Sequence, residues 1–217
     1  MKIKACLFDL DGVVVDTARY HYKAWKKIAD EIGFDFSEHD NERLKGVSRM
    51  ESLDILLELG KIQADPILKE ELATRKNSLY VSYISSMTPD EILPGVISFL
   101  DELHNAGILI ALGSASKNAR SILDKINLAQ KFDAVIDGNK VSKAKPDPEV
   151  FLNGAAELGI RPQDCLVFED AQAGIDAARN GEMYVIGIGH PDNLKNADHV
   201  IPGFKNMNLD LLKSWYQ

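Results

Sequence analysis

Residues 5–12 read Ala5-Cys6-Leu7-Phe8-Asp9-Leu10-Asp11-Gly12, an apolar, β-prone run that ends in two acids and a glycine. The pattern predicts a strand over residues 5–10. Side chains alternate along a strand, so Asp9 and Asp11 are expected to point the same way at its carboxyl end. That end is where open parallel sheets bind ligands. Two like charges so close repel unless a cation or a proton intervenes, so the pair asks for Mg²⁺ on one carboxylate and acid/base duty on the other. A plain Asp-Gly turn is the competing reading.

Outward from this run, short β-rich stretches recur at residues 108–113, 134–136, 165–168, 184–188 and 199–201. Helical patterns lie between most of them, at residues 96–106, 119–126, 148–158 and 173–180. Alternation of this kind predicts an α/β fold, a doubly wound, Rossmann-like parallel sheet covered on both faces. Residues 17–90 break the alternation with helical periodicity and no convincing strand. They predict an inserted helical unit with helices over 18–32, 49–59 and 66–85, Gly60 as a stop, and Asp65-Pro66 as cap and first turn. The expected division is residues 1–16 and 91–217 for the core and 17–90 for the insertion, linked through 14–17 and 87–94.

Composition narrows the function classes. The 217 residues are 45% hydrophobic and 27% charged, as in an ordinary globular protein. Lys and Arg number 25 against 33 Asp and Glu, a net charge of −8, which argues against nucleic acid as a main partner. The two cysteines, Cys6 and Cys165, sit in separate apolar runs and read as buried thiols of a reducing compartment, so a cytoplasmic location is expected. Asp9 and Asp11 cut the first apolar run too short for a signal peptide or a membrane span, and neither is expected.

Three further stretches carry chemistry. Ser114-Ala115-Ser116-Lys117-Asn118 follows the second apolar run and offers hydroxyls, backbone N–H groups and a cation where a phosphate can sit. Lys145-Pro146-Asp147-Pro148 sets a lysine on a rigid turn before a helix, able to hold a phosphate as a point charge. Glu169-Asp170 closes a buried run with an acidic pair, the ligand type Mg²⁺ prefers.

In their order along the chain, Asp9-Leu10-Asp11-Gly12-Val13, Ser114, Lys145 and Glu169-Asp170 resemble the four motifs of the haloacid dehalogenase superfamily. The resemblance spans the whole chain and makes the insertion that family's cap. It implies Asp9 as the nucleophile that becomes an aspartyl phosphate and Asp11 as general acid/base. It places Mg²⁺ on Asp9, the Asp11 backbone carbonyl and Asp170, with Glu169 alongside. Within the family, Thr17, the run His21-Tyr22-Lys23-Ala24-Trp25, Lys45-Gly46-Val47-Ser48-Arg49 and Arg75-Lys76-Asn77 resemble the cap of the sugar-phosphate mutases. That similarity implies a small phosphorylated sugar, β-glucose 1-phosphate, turned into glucose 6-phosphate through β-glucose 1,6-bisphosphate. Arg49 would hold the non-reacting phosphate with Ser116, Lys117 and Asn118, while Lys45, Lys76 and His21 line the closed cap. A monomer is expected, because a cap that must open and close is poorly served by an interface that locks it.

Plainer readings stand beside these. Lys45, Arg49 and Lys76 can be solvated charges, His21 a satisfied cap histidine, and Trp25 part of the cap's own core. Lys143 reads as solvated. Gly187-Ile188-Gly189 begins like a dinucleotide fingerprint, but Asp192 stands where the third glycine belongs. Glycosidase chemistry needs carboxyls on opposite sides of a sugar bond, not neighbours on one strand. Two rival functions remain: a sugar-phosphate phosphatase with the same core, and a phospho-aspartate signalling module, which has no need of so large an insertion.

Overall fold

The structure, a computed structural model, describes residues 2–216. Six parallel strands form one sheet in the order β3-β2-β1-β4-β5-β6. They are β1 (Ala5–Phe8), β2 (Leu109–Gly113), β3 (Ala134–Ile136), β4 (Cys165–Glu169), β5 (Tyr184–Ile188) and β6 (His199–Ile201). The four residues of β1 are buried on both faces, as a central parallel strand requires. Cys6 and Phe8 face one apolar core, and Ala5 and Leu7 the other. The first core is packed by α5 (Val96–Asn105), α6 (Ala119–Lys125) and the C-terminal α9 (Leu209–Trp215), and the second by α7 (Glu149–Glu157) and α8 (Gln172–Asn180).

The sequence runs outward from β1 in both directions across the sheet, so β1 is the switch point at which a crevice opens. Asp9 follows β1, Ser114 follows β2, and Glu169 ends β4, all at that crevice. Pairing in register, Phe8 with Phe168, brings Asp9 beside Glu169.

The predicted strand over 5–10 is corrected at its end. Ladder pairing stops at Phe8, and the chain then coils so that Leu10 O accepts from the N–H groups of Val14 and Val15 at 2.9 and 3.1 Å. Strand alternation therefore does not aim Asp9 and Asp11. Two elements that periodicity does not name are also present: α9 and the single turn α2 (Glu38–Asn41), both too short to show a period. A reciprocal cap between Ser37 and Asp40 starts α2.

Residues 17–90 are helical, with α1 (Ala18–Glu31), α3 (Arg49–Leu59) and α4 (Pro66–Ile84) as the long elements. Asp65 caps α4 by accepting from Leu68 N at 2.8 Å, with Pro66 in its first turn. Trp25, Ile28, Phe36, Leu53, Leu56 and Leu72 give this unit an apolar core of its own. Its two connections to the sheet run side by side, Leu93 N donating to Val14 O at 3.0 Å and Asp16 N to Glu91 O at 3.1 Å. Among the described residues, no helix is long and apolar enough to cross a membrane.

Phe8 is the tightest test of this packing, because it is fully buried and its ring stacks on Phe168 with centroids 4.7 Å apart. Replacing it with alanine is expected to cost about 3–5 kcal/mol of stability, read from urea unfolding. A loss under about 1 kcal/mol would mean that the aromatic cluster does not hold the sheet centre.

Candidate active site

A cavity of about 390 Å³ lies between the cap and the carboxyl ends of the strands. From the core it is lined by Asp9, Asp11, Lys145, Asp170 and the loop Ala115, Ser116, Lys117, Asn118. From the cap it is lined by His21, Lys45, Gly46, Val47, Arg49 and Lys76. Thr17, Ser114 and Glu169, the other predicted site residues, are buried and do not line it.

The floor is a charge cluster. Lys145 is 1% exposed, and its Nζ donates to Asp9 Oδ1 at 2.6 Å and to Glu169 Oε1. The other Glu169 oxygen accepts from Ala171 N at 2.8 Å. Gly174 leaves room for this carboxylate, since a Cβ there would lie 1.8 Å from Glu169 Oε1. Gly12, at φ +79°, does the same for Asp170, whose Oδ2 would be 2.3 Å from an added Cβ. Ligand atoms of Asp9, Glu169 and Asp170 lie within 4.8 Å of one another.

Asp9 and Glu169 share one buried ammonium, Asp170 has only Lys45 at 3.9 Å, and the imbalance shows in the proton affinities. Burial pushes Asp9 up to about 7; Lys145 opposes this, while Glu169 and Asp11 add to it. Burial, with Glu169 and Asp9 close by, pushes Asp170 well above the usual carboxylate range. A divalent cation matches this excess of oxygen ligands and negative charge, so the residues fit one.

Asp11 lines the same cavity but has partners of its own. Thr17 Oγ1 donates to its Oδ1, and His21 Nε2 lies 3.6 Å from the same oxygen. Burial pushes the Asp11 carboxyl up, but His21, Thr17 and Lys76 outweigh it and hold its pKa below the usual value. His21 is oriented by Lys76, whose Nζ is 2.9 Å from Nδ1. With Nδ1 accepting, the ring proton sits on Nε2, toward Asp11. Lys76 is 3% exposed, with its ammonium 4.8 Å from the ring centroids of both Trp25 and Tyr80. Burial and the charge of Arg49 bring it down to about 7, against the pull of Asp11. The solvated reading of Lys76 is thereby excluded, and Trp25 serves both the cap core and the cavity wall.

The remaining residues join cap to core. Lys45 Nζ is 2.9 Å from Glu42 Oε1 and 3.9 Å from Asp170 Oδ2. Gly46, at φ +74°, lets the cap backbone approach α8, where a Cβ would come within 2.8 Å of Ala171 Cβ. Arg49 Nη2 donates to Asn77 Oδ1 at 2.7 Å, and Asn118 Nδ2 reaches the same oxygen at 3.1 Å. Ser114 Oγ accepts from Ser116 N at 3.1 Å, and Ser116 Oγ from Asn118 N at 3.2 Å, which shapes the 114–118 loop. Lys143 is solvated as expected, paired with Asp147 at 3.2 Å. Sequence reasoning did not single out Tyr80 or assign a role to Asn77; helical spacing from Lys76, at +1 and +4, is the only signal that marks them.

An aspartate-centred parallel sheet with a cap over its switch point defines a phosphoryl-transfer fold, and comparison with known proteins agrees. The family model for haloacid dehalogenase-like hydrolases matches residues 3–181, and the chain belongs to this family. It is 43% identical to β-phosphoglucomutase of Bacillus subtilis (strain 168), over 99% of this chain and 96% of that protein. The crystal structure of β-phosphoglucomutase from Clostridium difficile superposes with a TM-score of 0.94 at 43% identity, covering 99% of this chain and 97% of that one. A phosphorylated carbohydrates phosphatase of Thermotoga maritima is 29% identical over 88% of each chain. A divalent metal goes with this family, and Asp9, Glu169 and Asp170 have the charge to take it.

In EDTA, Asp170→Asn is expected to raise the melting temperature, because it removes one uncompensated carboxylate, and to shrink the rise that a divalent cation then produces. An undiminished cation-induced rise would remove Asp170 from the ligand set. The metal-free protein should also lose stability as pH rises from about 4 to 7. The folded pKa of Asp9, about 7, lies above its ordinary 3.8, so the native state holds the extra proton only below that window's upper end.

Proposed function

We propose that this chain interconverts β-D-glucose 1-phosphate and glucose 6-phosphate, as a β-phosphoglucomutase, through phosphorylated Asp9 and β-glucose 1,6-bisphosphate. The observation that carries this reading is one cavity lined both by Asp9 and by Arg49, Lys117 and Asn118. A hydrolase needs one phosphate site. A mutase passes through a bisphosphate and needs a second, because either phosphate must occupy either position.

The chemistry follows from the residues. With phosphate on Asp9, the sugar's C6 hydroxyl attacks phosphorus, the Asp9 carboxylate leaves, and Asp11 takes the hydroxyl proton. After the bisphosphate turns round, Asp9 attacks the C1 phosphate, and Asp11 returns the proton to the departing C1 oxygen. Asp11 suits the first step because its lowered pKa leaves it as carboxylate, able to accept. Lys145 and the 114–118 loop hold the oxygens of the reacting phosphate. Mg²⁺, which Asp9, Asp170 and the Asp11 backbone carbonyl would hold with Glu169 alongside, supplies charge neutralisation at the phosphoryl group. The cap excludes water, which would otherwise hydrolyse the acyl phosphate. The protein works as a monomer, so that cap movement is unhindered, and in the cytoplasm, where the buried free thiols of Cys6 and Cys165 stay reduced.

Incubation with β-glucose 1-phosphate, Mg²⁺ and a trace of bisphosphate should give glucose 6-phosphate well in excess of free phosphate. Free phosphate in stoichiometric yield would make the chain a phosphatase. Asp9→Asn should abolish turnover, since an amide cannot act as the anionic nucleophile, and retained turnover would sink the mechanism. Asp11→Asn should slow turnover by on the order of 10² to 10⁴ while the cation-induced thermal shift persists.

Arg49→Ala should reduce mutase turnover at least about tenfold through lost remote binding energy, without preventing phosphorylation of Asp9 by a small phosphoryl donor. Unchanged isomerisation in Arg49→Ala would move the weight to the phosphatase.

A further inference from the structure

Arg49 is a half-buried cation, and among the described residues its side chain has one hydrogen-bond partner, Oδ1 of Asn77 at 2.7 Å. The same oxygen accepts from Asn118 Nδ2 at 3.1 Å. Guanidinium nitrogens only donate, so the Asn77 amide is fixed with its oxygen toward the pair. One neutral oxygen thus serves two donors from opposite sides of the cleft: Arg49 at the start of α3 in the cap and Asn118 at the start of α6 in the core. All three residues line the cavity. A neutral amide is a modest acceptor for a guanidinium, whereas a phosphate oxygen makes charge-assisted bonds roughly twice as strong. A phosphate can also give each donor an oxygen of its own.

We propose that Asn77 is a placeholder for the idle phosphate: its carbonyl oxygen occupies Arg49 and Asn118 while no phosphate is there, and must be displaced each time one arrives. This rests on the proposed role of Arg49 and Asn118 and adds what those donors do between ligands. Without Asn77, neither side chain would have a hydrogen-bond partner among the described residues, and Arg49 would keep only the more distant charge of Glu70. With it, arriving phosphate exchanges one set of hydrogen bonds for another, and departing phosphate hands the donors back to a partner. Asn77 therefore lowers affinity for the idle phosphate and eases its release. For a reaction whose intermediate must let go and turn round, a tight uniform grip would hold the bisphosphate in one orientation. Asn77 acts through Arg49 and Asn118, so it is a positioning residue. Its amide also ties α4 to the core loop, by a contact that an arriving phosphate would undo.

Calorimetric titration of the full chain with inorganic phosphate, at fixed Mg²⁺, tests this in the wild type, Asn77→Ala and Asn77→Asp, each with and without Arg49→Ala. Asn77→Ala should bind phosphate roughly three- to tenfold tighter, the size of one hydrogen bond no longer displaced. Asn77→Asp should bind it at least as much weaker, because a carboxylate pairs with Arg49 more strongly than an amide does. Both effects should vanish when Arg49 is alanine, which separates this site from phosphate bound near Asp9. In turnover, Asn77→Ala should lower KM and kcat together, whereas a merely structural loss would raise KM. Phosphate binding no tighter in Asn77→Ala, no weaker in Asn77→Asp, or shifts that persist without Arg49 would each overturn the proposal. Product analysis of the wild type is independent of these titrations: failure to form glucose 6-phosphate counts against the mutase reading, while the phosphate series still decides the role of Asn77.

Discussion

The ammonium of Lys145, sunk between Asp9 and Glu169, is the interaction on which the rest of the site depends. A buried charge is tolerated only when it is paired and hydrogen-bonded, and loss of one partner typically costs 3–5 kcal/mol. The pairing is set by the sheet: the register of β1 on β4 places Asp9 next to Glu169, and Asp9 N donates to Phe168 O at 3.0 Å. Lysine then arrives from a loop more than a hundred residues away, beside the start of α7. Because that buried ammonium, with Lys45 at 3.9 Å from Asp170, does not balance Asp9, Glu169 and Asp170, the same arrangement that stores the lysine also creates the demand for a cation. The glycines at 12 and 174 follow from this crowding, since each occupies a place where a methyl group would strike a carboxylate.

The cap obeys a different constraint. Its apolar core is its own, and near the connections Tyr80, Ile84 and Met87 merge with the core beneath the sheet's crevice. Across the cleft the contacts are polar: Lys45 with Asp170, His21 with Asp11, Asn77 with Asn118. Apolar burial at the connections fixes where the cap is attached, and exchangeable polar contacts leave its far side free to part. Gly46 is the exception, a place where backbone must come close, and it sits in the turn between the short helices and α3.

Much of this was legible in the sequence because the informative signals were local. Alternating β-rich runs and helical periods gave the sheet and the insertion, and Asp65-Pro66 marked the start of α4 through capping chemistry that acts within one turn. The acidic and basic residues of the motifs were readable as chemistry, and most of them do line one cavity. What the residues could not tell was direction. Asp9 and Asp11 were read as pointing together, and both do line the cavity, but strand alternation is not the reason, since the ladder stops at Phe8 and the two carboxylates have separate partners. Lys76 was placed in the cap lining by resemblance alone, with a solvated charge as the plain reading, since nothing local shows that Trp25 and Tyr80 will close around it. Asn77 was named within the run Arg75-Lys76-Asn77 but given no role for the same reason: its partners lie 28 and 41 residues away and meet only when the cap is docked.

The separate partners of Asp11 have a consequence for when the site can work. Two of the groups that hold its pKa down, His21 and Lys76, belong to cap helices α1 and α4, and Thr17 lies at the end of the first connection. With the cap away, His21 and Lys76 would leave, and Asp11 would exchange the cationic part of its stabilisation for solvent. The setting of this carboxylate toward a hydroxyl in the cleft is therefore shared between core and cap. In the proposed mechanism, water entering an open cleft would meet the phosphorylated aspartate without the partners that hold Asp11 in place, whereas a sugar beneath the docked cap would find them assembled. Discrimination between a sugar hydroxyl and water thus does not need a pocket that excludes water on size. On the proposed reading it follows from placing the groups that set the base on the cap, the element that a sugar phosphate in the cleft would touch.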